Sequence, residues 1–159
     1  MELSDLYSEK ILELAGNAPQ PGRLAHADAS ARKVSRVCGS VIEVDLVVRD
    51  GAIVGYGHEI SACALGQTSA AIVAREIVGT PLSEFLALRQ TMHDMLKADG
   101  TPPTGQWEDL KYLEPVRGYP ARHMSTLLVF DAVAAALEKI ESGQSVAASG
   151  CRSRLWPSF

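Results

Sequence analysis

Three cysteines in 159 residues are too few, and odd in number, for a disulfide framework. In a reducing compartment such thiols are free, reactive or bound to metal. Aromatic residues make up only 6% of the chain and the net charge is −4. With no basic cluster interleaved with aromatics, these numbers argue against a nucleic-acid partner. No apolar run approaches the length that spans a bilayer, so no membrane role is expected. The N-terminal stretch is broken by Glu2, Asp5, Glu9 and Lys10 and lacks the apolar core of a signal peptide. A cytoplasmic location is the resulting expectation. No internal repeat is visible. What the chain does hold is 47% hydrophobic residues, enough for a real core. The expected organisation is one domain over residues 1–141 and a Gly-, Ser- and Ala-rich flexible tail over 142–159.

The stretch from Cys38 to Cys63 organises the rest. Ile42, Val44, Leu46 and Val48 share one parity, and Glu43, Asp45 and Arg49 share the other. A period of two predicts a half-buried strand. After Asp50-Gly51, residues Ala52, Val54, Tyr56, His58 and Ile60 again share a parity. A two-residue Asp-Gly loop would set the two apolar series on opposite faces. A three-residue Arg49-Asp50-Gly51 loop would pair Val48 with Ala52 and Ile42 with His58, on one face, and is the register expected here. It places Cys38 opposite Ala62, hence near Cys63. Glu43, Asp45, Arg49 and Glu59 then form a solvated outer face.

On either side of this hairpin the pattern is helical. Leu3, Tyr7, Ile11 and Leu14 predict a helix over 4–15 with Ser4 as N-cap. The Pro- and Gly-rich segment 16–22 ends it. Residues 23–34, with His26, are expected to be an irregular crossing. A helix over 63–78, rich in Ala, begins at Cys63. Gly79-Thr80-Pro81 predicts a stop and restart, with Thr80 as N-cap and Pro81 as first helical residue. The following helix to about Lys97 buries Leu82, Phe85, Leu88, Met92 and Met95, with His93 beside them. A loop over 98–106, a short helix within 107–116 and a long helix from about Pro120 to Ile140 complete the chain. The fold class is α+β: a small antiparallel sheet of two to three strands, packed on one face by about four to five α-helices.

Several pieces, in this order, resemble the IscU/SufU/NifU N-domain family of iron–sulfur cluster assembly scaffolds. They are Asn17-Ala18-Pro19 to Gly22, Cys38-Gly39-Ser40, the hairpin running into Cys63 and an Ala/Ser-rich helix, Gly79-Thr80-Pro81-Leu82, and Tyr119-Pro120-Ala121-Arg122. The segment from about Met95 to Gly118 resembles the insertion of the SufU branch. The resemblance covers about Tyr7 to Glu141 and implies a SufE/NifU-like fold. It also implies a scaffold rather than an enzyme, a cysteine desulfurase as partner and cluster-accepting apoproteins as clients. It implies metal or cluster ligands at Cys38 and Cys63, with Cys63 a persulfide acceptor, and Arg122 beside them.

The chain departs from that family at two ligand positions. Ser40 stands where the family has Asp, and Ser125 where it has the third Cys, preceded by Met124. A structural zinc site or an iron–sulfur cluster asks for about four donors, mostly thiolate or imidazole. A neutral serine hydroxyl is a poor one, so iron, zinc or a cluster is either held weakly or absent. His58 and His123 are the nearest candidate replacements. Cys63 at a helix N-terminus has a second route to function, as a stabilised thiolate that accepts sulfur. Cys151, in the tail, is read as incidental. Two functional readings follow. One is a scaffold-like protein that binds iron or cluster, or accepts sulfur, through Cys38 and Cys63. The alternative is a divergent relative without a cluster, acting as a sulfur relay, thiol switch or interaction module.

Overall fold

The computed structural model describes residues 8–16, 22–37 and 39–141. Cys38, Cys151, the stretch 17–21 and the tail 142–159 lie outside the described residues, as do Ser4, Leu3 and Tyr7. The elements are α1 (Glu9–Gly16), β1 (Ala29–Ser35), β2 (Ser40–Arg49), β3 (Ala52–Ser61), α2 (Ala64–Glu76), α3 (Leu82–Lys97) and α4 (His123–Glu141). Between α3 and α4 lie two 3-10 segments, Gly105–Gly118 and Pro120–Arg122. The sheet is antiparallel in the order β1-β2-β3. The α+β class expected from the sequence is the one found.

The alternation in β2 does what a half-buried strand requires: Ile42, Val44, Leu46 and Val48 are buried on the inner face. Across that face runs α4, whose Phe130 stacks on Phe85 of α3 at 6.0 Å between ring centroids, with Trp107 edge-on to Phe85 at 6.1 Å. Burying these large side chains out of water is the main source of stability, about 1.5–3 kcal/mol for each. In the segment Gly105–Gly118 the buried residues Trp107, Leu110, Leu113 and Val116 recur every third position. Three residues per turn is the 3-10 repeat, so this spacing keeps one face apolar in that helix and not in an α-helix. Pro115, which has no N–H to donate, is compatible with such a loosely bonded segment.

Four expectations need correction. First, the β2–β3 hairpin uses the two-residue loop. Asp50 (φ 53°) and Gly51 (φ 77°) both adopt left-handed backbone, and Arg49 pairs with Ala52. The face change this causes is undone at once by a bulge. Val48 faces Ile53 while Val47 faces Gly55, so Val54 is the extra residue. Ile53 is therefore fully buried and Val54 is 45% exposed, the reverse of the expected parity. Beyond the bulge Ile42 meets Ile60 and Val44 meets His58, two residues from the expected pairing.

Second, residues 29–35 are not irregular: they form edge strand β1, paired from Ala29 with Leu46 to Ser35 with Ser40. Third, Pro81 rather than Thr80 is the N-cap of α3, because Thr80 Oγ1 donates to the Glu76 carbonyl and finishes α2. The backbone of Gly79 and Thr80 bonds Ile53, so this connection covers the free edge of β3.

Fourth, Asp45 is not solvated. The segment 22–28 crosses the outer face of the sheet, bridging at Gly22 to His58 and bonding Leu46 through the Asp28 N–H. Beneath it Asp45 is 2% exposed. Its carboxylate accepts from Arg23 Nε (2.7 Å) and Nη2 (2.9 Å), from the Leu24 N–H (2.9 Å) and from the Ser30 hydroxyl. Burial alone would push this carboxyl up, but the bonds from Arg23, Ser30 and Leu24 and the charge of Arg23 outweigh it and bring it down to about 2.

Candidate functional site

One end of the inner face gathers three short side chains from three elements. Ser40 opens β2, Cys63 is the N-cap residue of α2, and Ser125 sits in the first turn of α4. Cys63 Sγ lies 3.2 Å from Ser125 Oγ, and Ser125 Oγ lies 3.3 Å from Ser40 Oγ. Both hydroxyls are buried, and the thiol is part-buried. Ser40 and Ser125 are 85 residues apart in the chain and Cys63 and Ser125 are 62 apart. The fold thus joins Ser40 and Ser125 to the thiol in one hydrogen-bonded row.

Local sequence explains the close approach. Ser61 ends β3, and the chain turns at Cys63 in extended backbone before α2 begins. The next turn carries Gly66. A Cβ there would come within 2.9 Å of the Ala62 Cβ and 3.1 Å of the Ser125 hydroxyl. Only glycine lets α4 bring Ser125 up to the thiol. Sequence reading passed over Gly66; its signal was a residue without a side chain in the first turn of an otherwise Ala-rich helix.

The environment shapes the chemistry of the thiol. Burial pushes its pKa up. The Ser125 hydroxyl, the Gly66 and Leu65 N–H groups at the start of α2 and the positive charge of Arg122 pull it down, and the net direction is down. Arg122, in the 3-10 turn just before α4, therefore acts on Cys63 electrostatically. The arrangement can hold a thiolate by the Ser125 hydrogen bond, the N–H groups that open α2 and the charge of Arg122.

The two histidines do different work. His58 is 3% exposed; its Nδ1 lies 2.8 Å from the Tyr56 hydroxyl, and burial lowers its pKa, favouring the neutral ring. His123 donates from Nε2 towards the carbonyls of Val116 (3.0 Å) and Arg117 (3.1 Å), which ties the start of α4 to the end of the long 3-10 segment. Neither ring is hydrogen-bonded to Cys63, Ser40 or Ser125. His93 is likewise engaged, with Asp131 at 2.9 Å. Among the described residues no group of three or more His, Cys, Asp or Glu side chains could hold a metal ion. Cys38, the other thiol of the expected ligand set, lies outside them. The described donors, one thiol and two hydroxyls, fall short of what a cluster or a structural zinc ion needs. No helix among the described residues is long and apolar enough to cross a membrane.

Comparison with known proteins places this geometry. No protein-family model matches the chain. The chain is 27% identical over 135 residues to the iron–sulfur cluster assembly scaffold protein IscU of Thermotoga maritima, covering 85% of this chain and 94% of that protein. Its fold is similar to the crystal structure of a putative iron–sulfur cluster assembly scaffold protein for the SUF system from Fervidobacterium islandicum. There the TM-score is 0.77 at 20% identity, over 86% of this chain and 99% of that one. It also matches the crystal structure of a nitrogen-fixing NifU-like protein (N-terminal) from Brucella abortus, with a TM-score of 0.85 and 48% identity over 88% of this chain and 97% of that one. With nearly half its residues shared over almost the whole of that structure, the chain belongs to the IscU/SufU/NifU family.

Proposed function

We propose that this protein serves iron–sulfur cluster assembly as a sulfur acceptor, taking a persulfide sulfur from a cysteine desulfurase at Cys63. The observation that carries this reading is the Cys63–Ser125–Ser40 row, in which a part-buried thiol at the start of α2 is bonded by a buried hydroxyl and its pKa lowered. A relative named as an iron–sulfur cluster assembly scaffold supplies the biological setting.

In the step proposed, the Cys63 thiolate attacks the outer sulfur of a persulfide on the desulfurase. A new S–S bond forms at Cys63 as the donor's S–S bond breaks. The electron pair leaves on the donor cysteine, which is released as a thiolate and takes a proton from solvent. No net oxidation or reduction occurs. The Ser125 hydroxyl donates to the attacking thiolate, and the helix N–H groups and Arg122 stabilise its negative charge until that charge passes to the departing donor sulfur.

Iron or a cluster would be cargo rather than a resident cofactor. Holding it asks for Cys38 beside Cys63, with further donors from outside the described set or from a client apoprotein. The closeness of Cys38 and Cys63 is part of this proposal, supported by Ser40, two residues after Cys38, being in the row that ends on Cys63. The test is intact-mass spectrometry of the full chain after incubation with desulfurase and cysteine, with metal analysis of the anaerobically purified protein alongside. One added sulfur atom, lost in Cys63→Ser, is the expected result. Wild-type protein that gains no mass would rule the acceptor role out.

A further inference from the structure

We propose that the crease between β1, α3 and α4 is a second binding site, for a small zwitterion of the α-amino-acid class. A cavity of about 310 Å³ opens there, with Lys33, Arg89, Asp131 and Glu138 as its charged lining. Leu86 and the alanines at 134 and 135 give it an apolar floor. None of these residues belongs to the Cys63 row, and the family role described above does not use them.

The charged lining holds two cations and two anions, and one cation and one anion, Arg89 and Asp131, are paired with each other. Asp131 Oδ1 accepts from Arg89 Nε at 2.8 Å and lies 2.9 Å from His93 Nε2. This fixes the guanidinium through its inner nitrogen. Its two outer nitrogens take part in no hydrogen bond among the described residues. A guanidinium held in that way presents a planar fork suited to a carboxylate. Lys33, on the edge strand, adds a second cation to the same cavity. Glu138, on α4, adds an anion. Lys33 and Glu138 carry opposite charges and line one cavity, yet neither forms an ion pair among the described residues. Each therefore brings an unmatched charge to the cavity, which a ligand with one carboxylate and one ammonium group would meet.

Charge sorts the alternatives. A simple anion would meet Lys33 and the Arg89 fork but be repelled by Glu138. A simple cation would meet Glu138 but be repelled by Lys33. A zwitterion matches both charges at once. The cavity volume is at the lower end for small-molecule sites, which suits a ligand of amino-acid size and excludes a dinucleotide.

The test is a ¹H–¹⁵N chemical-shift titration of the full chain with L-serine, acetate, methylammonium and inorganic phosphate as separate probes. L-serine should give saturable shifts at Lys33, Arg89, Ala134 and Ala135, with acetate, methylammonium and phosphate each at least about tenfold weaker. Lys33→Met and Glu138→Gln, both at exposed positions, should each weaken L-serine about tenfold, and Arg89→Lys should do the same by removing the fork. Cys63→Ser should leave the titration unchanged, so this proposal and the acceptor role stand or fall separately. Absence of saturable shifts with L-serine, equal binding of acetate or phosphate, or indifference to all three substitutions would overturn it.

Discussion

Two polar clusters sit on opposite faces of the same small sheet, and they treat charge in opposite ways. On the outer face Asp45 is buried with a guanidinium against it and with further donors on both oxygens. On the inner face Cys63 has hydroxyls for neighbours and a cation that acts through space. The first arrangement cancels a charge and fixes the segment 22–28 to the sheet. The second favours a charge on the thiol itself, through the Ser125 hydroxyl, the N–H groups that open α2 and the charge of Arg122, and so poises it to react. The lesson is that a buried polar group signals function by how incompletely it is neutralised, not by being buried.

The largest effect should come from breaking the outer cluster. Asp45→Ala leaves Arg23, the Leu24 N–H and Ser30 without their acceptor and should cost about 3 kcal/mol in urea unfolding. The rate of Cys63 alkylation per folded molecule should hardly change. A loss of reactivity as large as the loss of stability would erase the distinction between the clusters.

Acid gives a second view of the same carboxylate. Its pKa is about 2 in the folded protein, against ~3.9 in an unfolded chain. A lowered folded value means the stabilisation is present above the unfolded value and is lost as pH falls from about 4 through about 2. Roughly 2 kcal/mol should disappear over that window in denaturant titrations. The pH dependence should flatten there in Asp45→Asn.

Changes on the inner face should move chemistry more than stability. Ser125→Ala removes the hydroxyl that donates to Cys63, so the midpoint of alkylation rate against pH should rise. Ser40→Ala, one bond further away, should raise it less, through the weakened row. If Ser40→Ala equals or exceeds Ser125→Ala, the row is not ordered as described.

Much of the fold was legible because local signals agreed with one another. The alternation in β2, the turn chemistry of Asp50-Gly51 and the stop at Gly79 each mark an element that exists. Three features were not legible, each for a physical reason. The bulge at Val54 adds a single residue with no compositional mark, and it alone decides which of Ile53 and Val54 enters the core. The strand β1 escapes the pattern because Arg32, Lys33 and Val34 are exposed in succession, so residues on both of its faces meet solvent and the alternation is broken. The burial of Asp45 depends on Arg23, 22 residues earlier, crossing the sheet.

The site divides in the same way. The place of Cys63 at the start of α2 follows from the strand-to-helix junction in its own neighbourhood. The meeting of Ser40 with Ser125 does not, since no short-range pattern links residues 85 apart. Only the resemblance, which marks both as substituted ligand positions, singled them out. Gly66, whose missing side chain admits Ser125, went unmarked.

The sulfur transfer proposed for Cys63 uses only the thiol and the donors around it. It is tested by sulfur loading with desulfurase and cysteine under anaerobic conditions, in the presence of a strong chelator, followed by peptide mapping. One persulfide sulfur on Cys63 is expected with or without the chelator. Sulfur on Cys63 only when iron is supplied, or on another cysteine with Cys63 unmodified, would contradict it.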